Sequence, residues 1–281
     1  FLIWSKDMST VHTHTYNYEL TGFDLTAGIF TGLALCAVLQ SAVLYQNFKP
    51  WFKNPQLTPL PSPERFLGAS IHSFIAMVIT GAVLTYTFSR VDFDQNPIMD
   101  FWGYNNVCIL FDTPPSTYIS PIFWFFVAYL IVRFAVEDTK RLMQMGHISN
   151  SLKRVSYGAN VFLVAVAAVF SLCLAIPPEE NMILHTSPFV ALMIAFPLIF
   201  VMHCLQDQNR KFIVIVACTV FMIVSLVKVI FALIALSQFE NFGPVPAFIA
   251  RPIDLIWLLL AISAPFVMPI PSASSSKKQT S

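Results

Sequence analysis

Charged side chains are scarce in this sequence. Asp, Glu, Lys and Arg together make up 11% of its 281 residues, whereas soluble globular proteins carry roughly 25%. Hydrophobic residues reach 56%, and the mean hydropathy is +0.68. This balance excludes an ordinary soluble domain and predicts an integral membrane protein whose first partner is the lipid bilayer.

An excess of charge of one sign is lacking as well. The 16 Lys and Arg residues nearly balance 15 Asp and Glu, which gives a formal net charge of +1 with neutral histidines. Nucleic-acid binding needs a basic stripe or an aromatic stacking motif, and the sequence contains neither. We therefore predict no nucleic-acid partner.

Signatures of enzyme chemistry are also missing. The sequence contains no HExxH, no G-x-S-x-G and no glycine-rich phosphate loop, and no two carboxylates stand together inside an apolar run. We assign no catalytic residue and no metal ligand, and no motif indicates a cofactor. A non-catalytic role is the favoured prediction.

The five cysteines show no metal-site spacing such as C-x-x-C. All except Cys108 fall inside predicted membrane spans, where cysteine serves as a small apolar residue. Cys108 lies outside the spans, and Cys173 lies close to the end of one on the same membrane face. These two residues form a candidate disulfide.

Long hydrophobic runs, in contrast, are abundant. A helix needs about 20 mostly apolar residues to cross the hydrocarbon core. Seven such runs occur, joined by short polar or proline-rich connections: residues 23–45, 66–88, 118–136, 157–176, 184–205, 212–237 and 252–270. The predicted fold is therefore all-α: a polytopic membrane protein with seven transmembrane helices in one bundle.

The basic residues indicate how these spans are oriented, because cytoplasmic loops of multi-pass proteins collect Lys and Arg. Most of the basic residues fall on one side of the predicted membrane: Lys49, Lys53, Arg65, Arg133, Lys140, Arg141, Lys153, Arg154, Arg210, Lys211, Lys277 and Lys278. We predict an N-terminus outside the cytoplasm and a cytoplasmic C-terminus. The chain then divides into an exoplasmic N-terminal segment at 1–22, a transmembrane domain at 23–270 and a polar C-terminal tail at 271–281.

One lysine, Lys228, interrupts the sixth run within the stretch SLVKVIFALIALS. A charge at membrane depth costs roughly 2.5–3.5 kcal/mol on insertion scales, so it needs a partner or an aqueous cavity. Asp254 at the start of the last span suits a pairing with this lysine, and Arg251 lies close by. We predict an intramembrane ion pair or ligand site formed by Lys228, Asp254 and Arg251. Snorkelling of the lysine to the outer surface and a transport role are the alternatives.

Histidine supplies a second set of polar residues inside the spans. His72 and Ser73 lie within the second run, and His203 lies near the inner end of the fifth. Two histidines at similar depth can ligate a haem or a metal, whereas a polar contact between helices is the more common use. We predict a polar or ligand site at His72, Ser73 and His203.

Two known families share parts of this layout. The seven-span count and the outside N-terminus resemble G-protein-coupled receptors, although the third span ends in VRFAVED and the last has no NPxxY-type sequence. The last six spans resemble the DRAM family of six-span endomembrane proteins through Asn160, His185 and Asp254. Neither resemblance rests on a motif, and neither family is assigned.

These observations together predict a non-catalytic binding or structural role in a membrane. The protein is then a subunit or scaffold of an assembly with other membrane-protein subunits, or is receptor-like. The alternative is a small-solute transporter or channel that uses polar residues in the outer half of the last two helices. A transporter predicts a water-accessible cavity lined by Lys228, Asp254 and His72, whereas a structural subunit predicts that these residues are paired or at helix ends.

Overall fold

The structure is a computed structural model that describes residues 21–55, 61–207, 211–236 and 245–267. Within these ranges the chain forms helices and no strand. The helices are α1 (Gly22–Lys53), α2 (Pro63–Thr87), α3 (Pro97–Trp102), α4 (Ile109–Asp112), α5 (Ser116–Gln144), α6 (Asn150–Val169), α7 (Ser171–Ala175), α8 (Pro178–Gln206), α9 (Phe212–Leu236) and α10 (Ala247–Val267). The predicted C-terminal tail and nearly all of the predicted N-terminal segment lie outside the described residues.

Seven stretches of helix are long and apolar enough to cross a membrane: α1, α2, α5, α6 together with α7, α8, α9 and α10. The seven predicted spans are thereby confirmed, and each overlaps one of these helices. By length and composition the chain is a multi-pass membrane protein. Several helices continue beyond the apolar run that predicted them. The predicted span in α5, for example, ends at residue 136, whereas the helix itself continues to Gln144.

Six of the long helices close a ring. Contacts join α2 to α5, α5 to α6, α6 to α8, α8 to α9, α9 to α10 and α10 back to α2, while α1 packs outside against α2 and α5. The interior is filled by fully buried side chains that include Phe123, Phe134, Phe200 and Phe221. In the most apolar stretch of α2, 67% of the residues are buried, against 22% in α1 and in α10. The exposed apolar faces of the outer helices suit contact with lipid.

The bundle has two chemically different ends. The loop end carries the connection from α2 to α5, which includes α3 and α4, and the junction of α7 with α8. The basic end carries the end of α1, the start of α2, the end of α5, the start of α6 and the end of α8. Most of the basic residues named above lie at or beyond the basic end, hence its name.

Local sequence explains where several helices begin and end. Pro63 occupies the first position of α2, where its missing N–H is not needed. Ser149 caps α6, because its hydroxyl accepts a hydrogen bond of 3.2 Å from the Leu152 amide. Gly103 ends α3 in the left-handed region, at φ 72°. The chain therefore turns after α3 and leads Tyr104 back towards the bundle.

Gly81 lets α2 and α4 approach each other closely. A Cβ atom added at Gly81 would lie 2.5 Å from the backbone oxygen of Leu110 in α4. The Ser116 hydroxyl donates a hydrogen bond of 3.3 Å to the Gly81 carbonyl at the same place. Because α4 also carries Asp112, this approach positions a carboxyl group at the loop end of the bundle.

Replacing Gly81 with Ala should lower the free energy of unfolding by about 1–3 kcal/mol, the usual cost of overpacking. The added methyl group meets a backbone atom, which cannot rotate away. Thermal unfolding in detergent micelles measures the effect. Gly158→Ala in α6 is the matched control, since nothing lies within 4 Å of its added Cβ, and it should be neutral or slightly stabilising. Equal losses in both variants would contradict the close approach.

Candidate functional site

The two oppositely charged residues predicted on neighbouring spans are in contact at the loop end. Lys228 Nζ of α9 lies 2.7 Å from Asp254 Oδ1 of α10, and their side chains are 9% and 26% exposed. The Tyr104 hydroxyl donates a hydrogen bond of 2.9 Å to Asp254 Oδ2. Burial, and then the Asp254 carboxylate, raises the pKa of Tyr104, which keeps this phenol a hydrogen-bond donor. Each oxygen of the Asp254 carboxylate therefore has its own partner, Lys228 on Oδ1 and Tyr104 on Oδ2.

Aromatic rings complete the surroundings of the lysine. Lys228 Nζ lies 5.5 Å from the centroid of the Phe189 ring and 5.2 Å from that of Trp257. Both distances fall in the range of cation–π attraction. Trp257 Nε1 donates a hydrogen bond of 3.0 Å to Ser225 Oγ, which fixes the indole beside the lysine. Arg251, the third predicted member of this site, is exposed and forms no ion pair within the described residues.

The three residues of the predicted histidine site have different partners. His72 Nδ1 lies 3.1 Å from Asn47 Nδ2, and Ser73 donates a hydrogen bond of 2.7 Å to Gln40 Oε1, so both residues join α2 to α1. His203 lies instead among charged residues at the basic end. In the described part of the chain, no group of three or more His, Cys, Asp and Glu side chains is arranged to hold a metal ion.

The two residues of the candidate disulfide lie side by side in the structure, and the disulfide itself stays a prediction. Cys108 and Cys173 are both buried and both free thiols. Their side chains share a hydrogen bond, and this bond, followed by burial, raises the pKa of Cys108 well above its ordinary value. A thiol held protonated in this way is a weak nucleophile. The two cysteines therefore meet at the loop end, where they are packed against each other.

Asp112 and His185 lie beside these cysteines. His185 Nε2 is 3.3 Å from Asp112 Oδ2, and His185 Nδ1 is 2.9 Å from the Ile176 carbonyl oxygen. The short contact with a carbonyl means that Nδ1 carries a proton. Burial raises the pKa of Asp112, and its contact with His185 opposes that shift. We name Asp112, His185, Cys108 and Cys173 the loop-end cluster.

The most extensive set of buried charges in the described chain lies at the basic end and joins α2, α5, α6 and α8. Arg141 contacts Glu64 of α2 and Asp138, which lies one turn earlier in α5. His203 of α8 lies 3.5 Å from Asp138 Oδ1 and 3.7 Å from Glu64 Oε1. Asn160 of α6 donates a hydrogen bond of 2.8 Å to Asp138 Oδ2. We name these five residues the basic-end cluster.

Charge balance explains why the basic-end cluster holds together. The side chains of Arg141, Glu64 and Asp138 are 11%, 6% and 2% exposed. Removing an ion from water costs several kcal/mol, which only close pairing offsets. The Arg141 guanidinium lies against both carboxylates, and the His203 ring lies within 3.7 Å of each of them. The His203 ring also stacks on Phe134, with ring centroids 5.8 Å apart.

Sequence reasoning missed the basic-end cluster because its acids stand among the charged residues that flank the spans. A helical signal was nevertheless present. The buried face of α5 runs through Val127, Ile131 and Phe134, and the same face continues into Asp138 and Leu142. This spacing of three to four residues indicates that Asp138 faces the interior of the bundle.

No family model, no curated protein and no solved structure is significantly similar to this chain. Seven apolar helices of spanning length define its class, a multi-pass α-helical membrane protein. The chemistry that the clusters provide is ion pairing and hydrogen bonding between helices.

Replacing Arg141 with Met should lower the free energy of unfolding by about 3–5 kcal/mol, because Glu64 and Asp138 would remain buried without their cation. Thermal unfolding of the full chain in detergent micelles measures the loss. Lys140→Met is the matched control, since the Lys140 side chain is 62% exposed and pairs with Glu137 near the surface. That variant should lose no more than about 1 kcal/mol. Similar midpoints for the two variants would exclude a stabilising role for the cluster.

Proposed function

We propose that this chain is a non-catalytic structural and binding protein of a membrane, acting as a subunit or scaffold within an assembly. The observation that carries the proposal is the enclosure of Lys228 by Asp254, Phe189 and Trp257. A lysine in a transport path needs a face open to solute and water. This lysine is satisfied by partners from the protein itself, as expected for a residue that fixes helix packing.

The other polar residues of the predicted transport path support the same proposal. His72 is engaged by Asn47 across the contact between α1 and α2. The structure has a groove of about 410 Å³ between α5 and α6, and its lining includes none of Lys228, Asp254 and His72. The polar residues inside the spans thus act as interhelical contacts.

Large apolar faces supply the surface on which an assembly can form. α1 and α9 are mostly unburied, and the most apolar stretch of α9 has only 28% of its residues buried. Exposed large side chains on these faces are Phe23, Phe30, Val38, Phe212, Ile213, Leu226 and Leu233. Lipid and the apolar helices of partner subunits are the surroundings that such faces suit.

The charge bias supports a proposed orientation. Lys53, Arg65, Arg141 and Lys153 lie at the basic end, and positively charged ends of multi-pass proteins face the cytoplasm. We therefore place the basic end and the C-terminus in the cytoplasm. The N-terminus and the loop end then face the other side of the membrane.

A small-solute transporter or channel is the second candidate, and one observation favours it. The Asp254 side chain remains 26% exposed, so an aqueous path from the loop end could reach the ion pair. Such a path would alternate between the two sides of the membrane. The structural proposal instead requires Lys228 to stay enclosed.

Removing first one charge and then both tests the ion pair between Lys228 and Asp254. Asp254→Asn should lower the free energy of unfolding by about 2–4 kcal/mol, close to the cost of breaking a buried pair. The double variant Lys228→Met with Asp254→Asn should recover most of that loss, because no buried charge remains. Thermal unfolding in detergent micelles compares the two. A double variant no more stable than Asp254→Asn would contradict the pairing.

Labelling with a membrane-impermeant thiol reagent separates the structural proposal from the transport alternative. In Lys228→Cys, the new thiol should resist modification from both sides of sealed vesicles. Arg251→Cys is the positive control, because Arg251 is exposed, and it should react from one side only. The unsubstituted chain gives the background of its five native cysteines. Modification at position 228 from both sides would contradict the structural proposal and support the transporter alternative.

Purification of the tagged chain from its native membrane in mild detergent tests membership of an assembly. We expect a second membrane protein in a fixed molar ratio, because the apolar faces of α1 and α9 are large enough to pack against helices of another subunit. Quantitative mass spectrometry of the purified material measures the ratio. A monodisperse preparation that contains only this chain and lipid would contradict the subunit role.

A further inference from the structure

A groove of about 410 Å³ runs between α5 and α6 on the outer surface of the bundle. This volume lies within the range of about 300–1,000 Å³ that is typical of small-molecule sites. Its walls are apolar and are formed by Val132 and Val136 of α5 and by Val161 and Val164 of α6. Val136 and Val161 are 45% and 50% exposed, so the groove opens sideways towards lipid. An extended hydrocarbon chain matches these walls in polarity.

Polar residues occur only towards the basic end of the groove. Lys140 and Tyr157 line it there. Lys153 precedes Tyr157 by four residues in α6, so it lies one turn further towards the basic end on the same face of the helix. The groove is therefore amphipathic along its length, with hydrocarbon-like walls in the bundle and two lysines and a phenol at one mouth.

The charge at this mouth is positive. Glu137 is the nearby acid in α5, and it is shared by two cations, since its Oε1 lies 3.1 Å from Lys140 Nζ and 3.3 Å from Arg133 Nη2. Asp138 is buried and paired with Arg141 inside the basic-end cluster. Arg133 and Lys140 thus share one acid and keep one positive charge in excess, and Lys153 forms no ion pair within the described residues. Charge complementarity therefore selects an occupant with a negatively charged head and an apolar tail.

We propose that the groove binds one anionic phospholipid, with an acyl chain between α5 and α6 and the phosphate group beside Lys140 and Tyr157. The assignment rests on the proposed function in its orientation, because the basic end must face the cytoplasmic leaflet, in which anionic lipids are concentrated. Basic pockets between transmembrane helices on the cytoplasmic side are a recognised setting for anionic headgroups.

Occupation of the groove acts on the packing of the bundle. Asn160 lines the groove and also donates its hydrogen bonds to Asp138 and Thr139. A lipid in the groove therefore contacts a residue of the cluster that joins α2, α5, α6 and α8. A ligand that binds only the folded state raises the free energy of unfolding, and the gain grows with the logarithm of ligand concentration above its dissociation constant. The lipid therefore favours the packed arrangement.

The test uses the full chain in mixed micelles titrated with phosphatidylserine or with phosphatidylcholine. Native mass spectrometry counts bound lipid, and thermal unfolding reports stabilisation. The unsubstituted chain should retain phosphatidylserine in preference to phosphatidylcholine and unfold at a higher temperature with it. Lys140→Gln and Lys153→Gln should each weaken phosphatidylserine binding about five-fold, since one lysine near a lipid surface contributes about 1 kcal/mol. Lys49→Gln on α1 is the matched control at the basic end, and it should leave phosphatidylserine binding unchanged.

Filling the groove tests the acyl-chain part of the site. Val161→Trp should abolish preferential retention of phosphatidylserine, whereas Val155→Trp, at an exposed valine of α6 outside the groove, should leave it intact. Unfolding midpoints in phosphatidylcholine establish that each variant is folded. Equal retention of both lipids by the unsubstituted chain would contradict the proposed site. A preference for phosphatidylserine that is lost in the lysine variants but kept in Val161→Trp would contradict it as well. Neither result alters the labelling of Lys228→Cys or the side from which Arg251→Cys reacts, so failure here is distinguishable from failure of the proposed function and its orientation.

Discussion

The pairing of Arg141 with two buried carboxylates is the interaction on which the packing of the bundle most depends. A planar guanidinium carries several donors in fixed directions, so one side chain can engage Glu64 and Asp138 together. These acids come from different helices, and His203 and Asn160 add two more. Apolar packing between lipid-facing helices is weakly directional, because lipid tails compete equally well for such contacts. The charges supply the register that apolar packing leaves undetermined.

The sequence predicted the seven spans because the length of an apolar run is the property that a bilayer selects. It predicted helix ends less well. α1 resumes after a kink at Phe48 and ends at Lys53, and α5 continues to Gln144, although both have left the apolar run. Helical hydrogen bonding does not stop where hydrophobicity stops. The break at Phe170 between α6 and α7 had no glycine or proline to indicate it.

The candidate sites divide along similar lines. Lys228 is conspicuous because it interrupts an apolar run, and its counterion Asp254 lies at the start of the next run. Glu64 and Asp138 stand among the charged residues that flank the spans, and a charged residue in such a position is usually exposed to water. The spacing along α5 indicates that Asp138 faces the interior, but bringing Glu64 and His203 beside it requires the positions of α2 and α8, which a single sequence does not state. Cys108 and Cys173 show the opposite case: the sequence placed both at one membrane face, and the structure brings them together as thiols.

The placement of two histidines on α8 has a mechanical consequence. His185 is held near one end by Asp112, and His203 is held near the other by Glu64 and Asp138. Contacts near both ends oppose rotation and sliding of α8. Pro188 and Pro197 lie between these contacts and each remove a backbone hydrogen bond. Flexure at its middle is therefore the motion of α8 that these contacts restrain least.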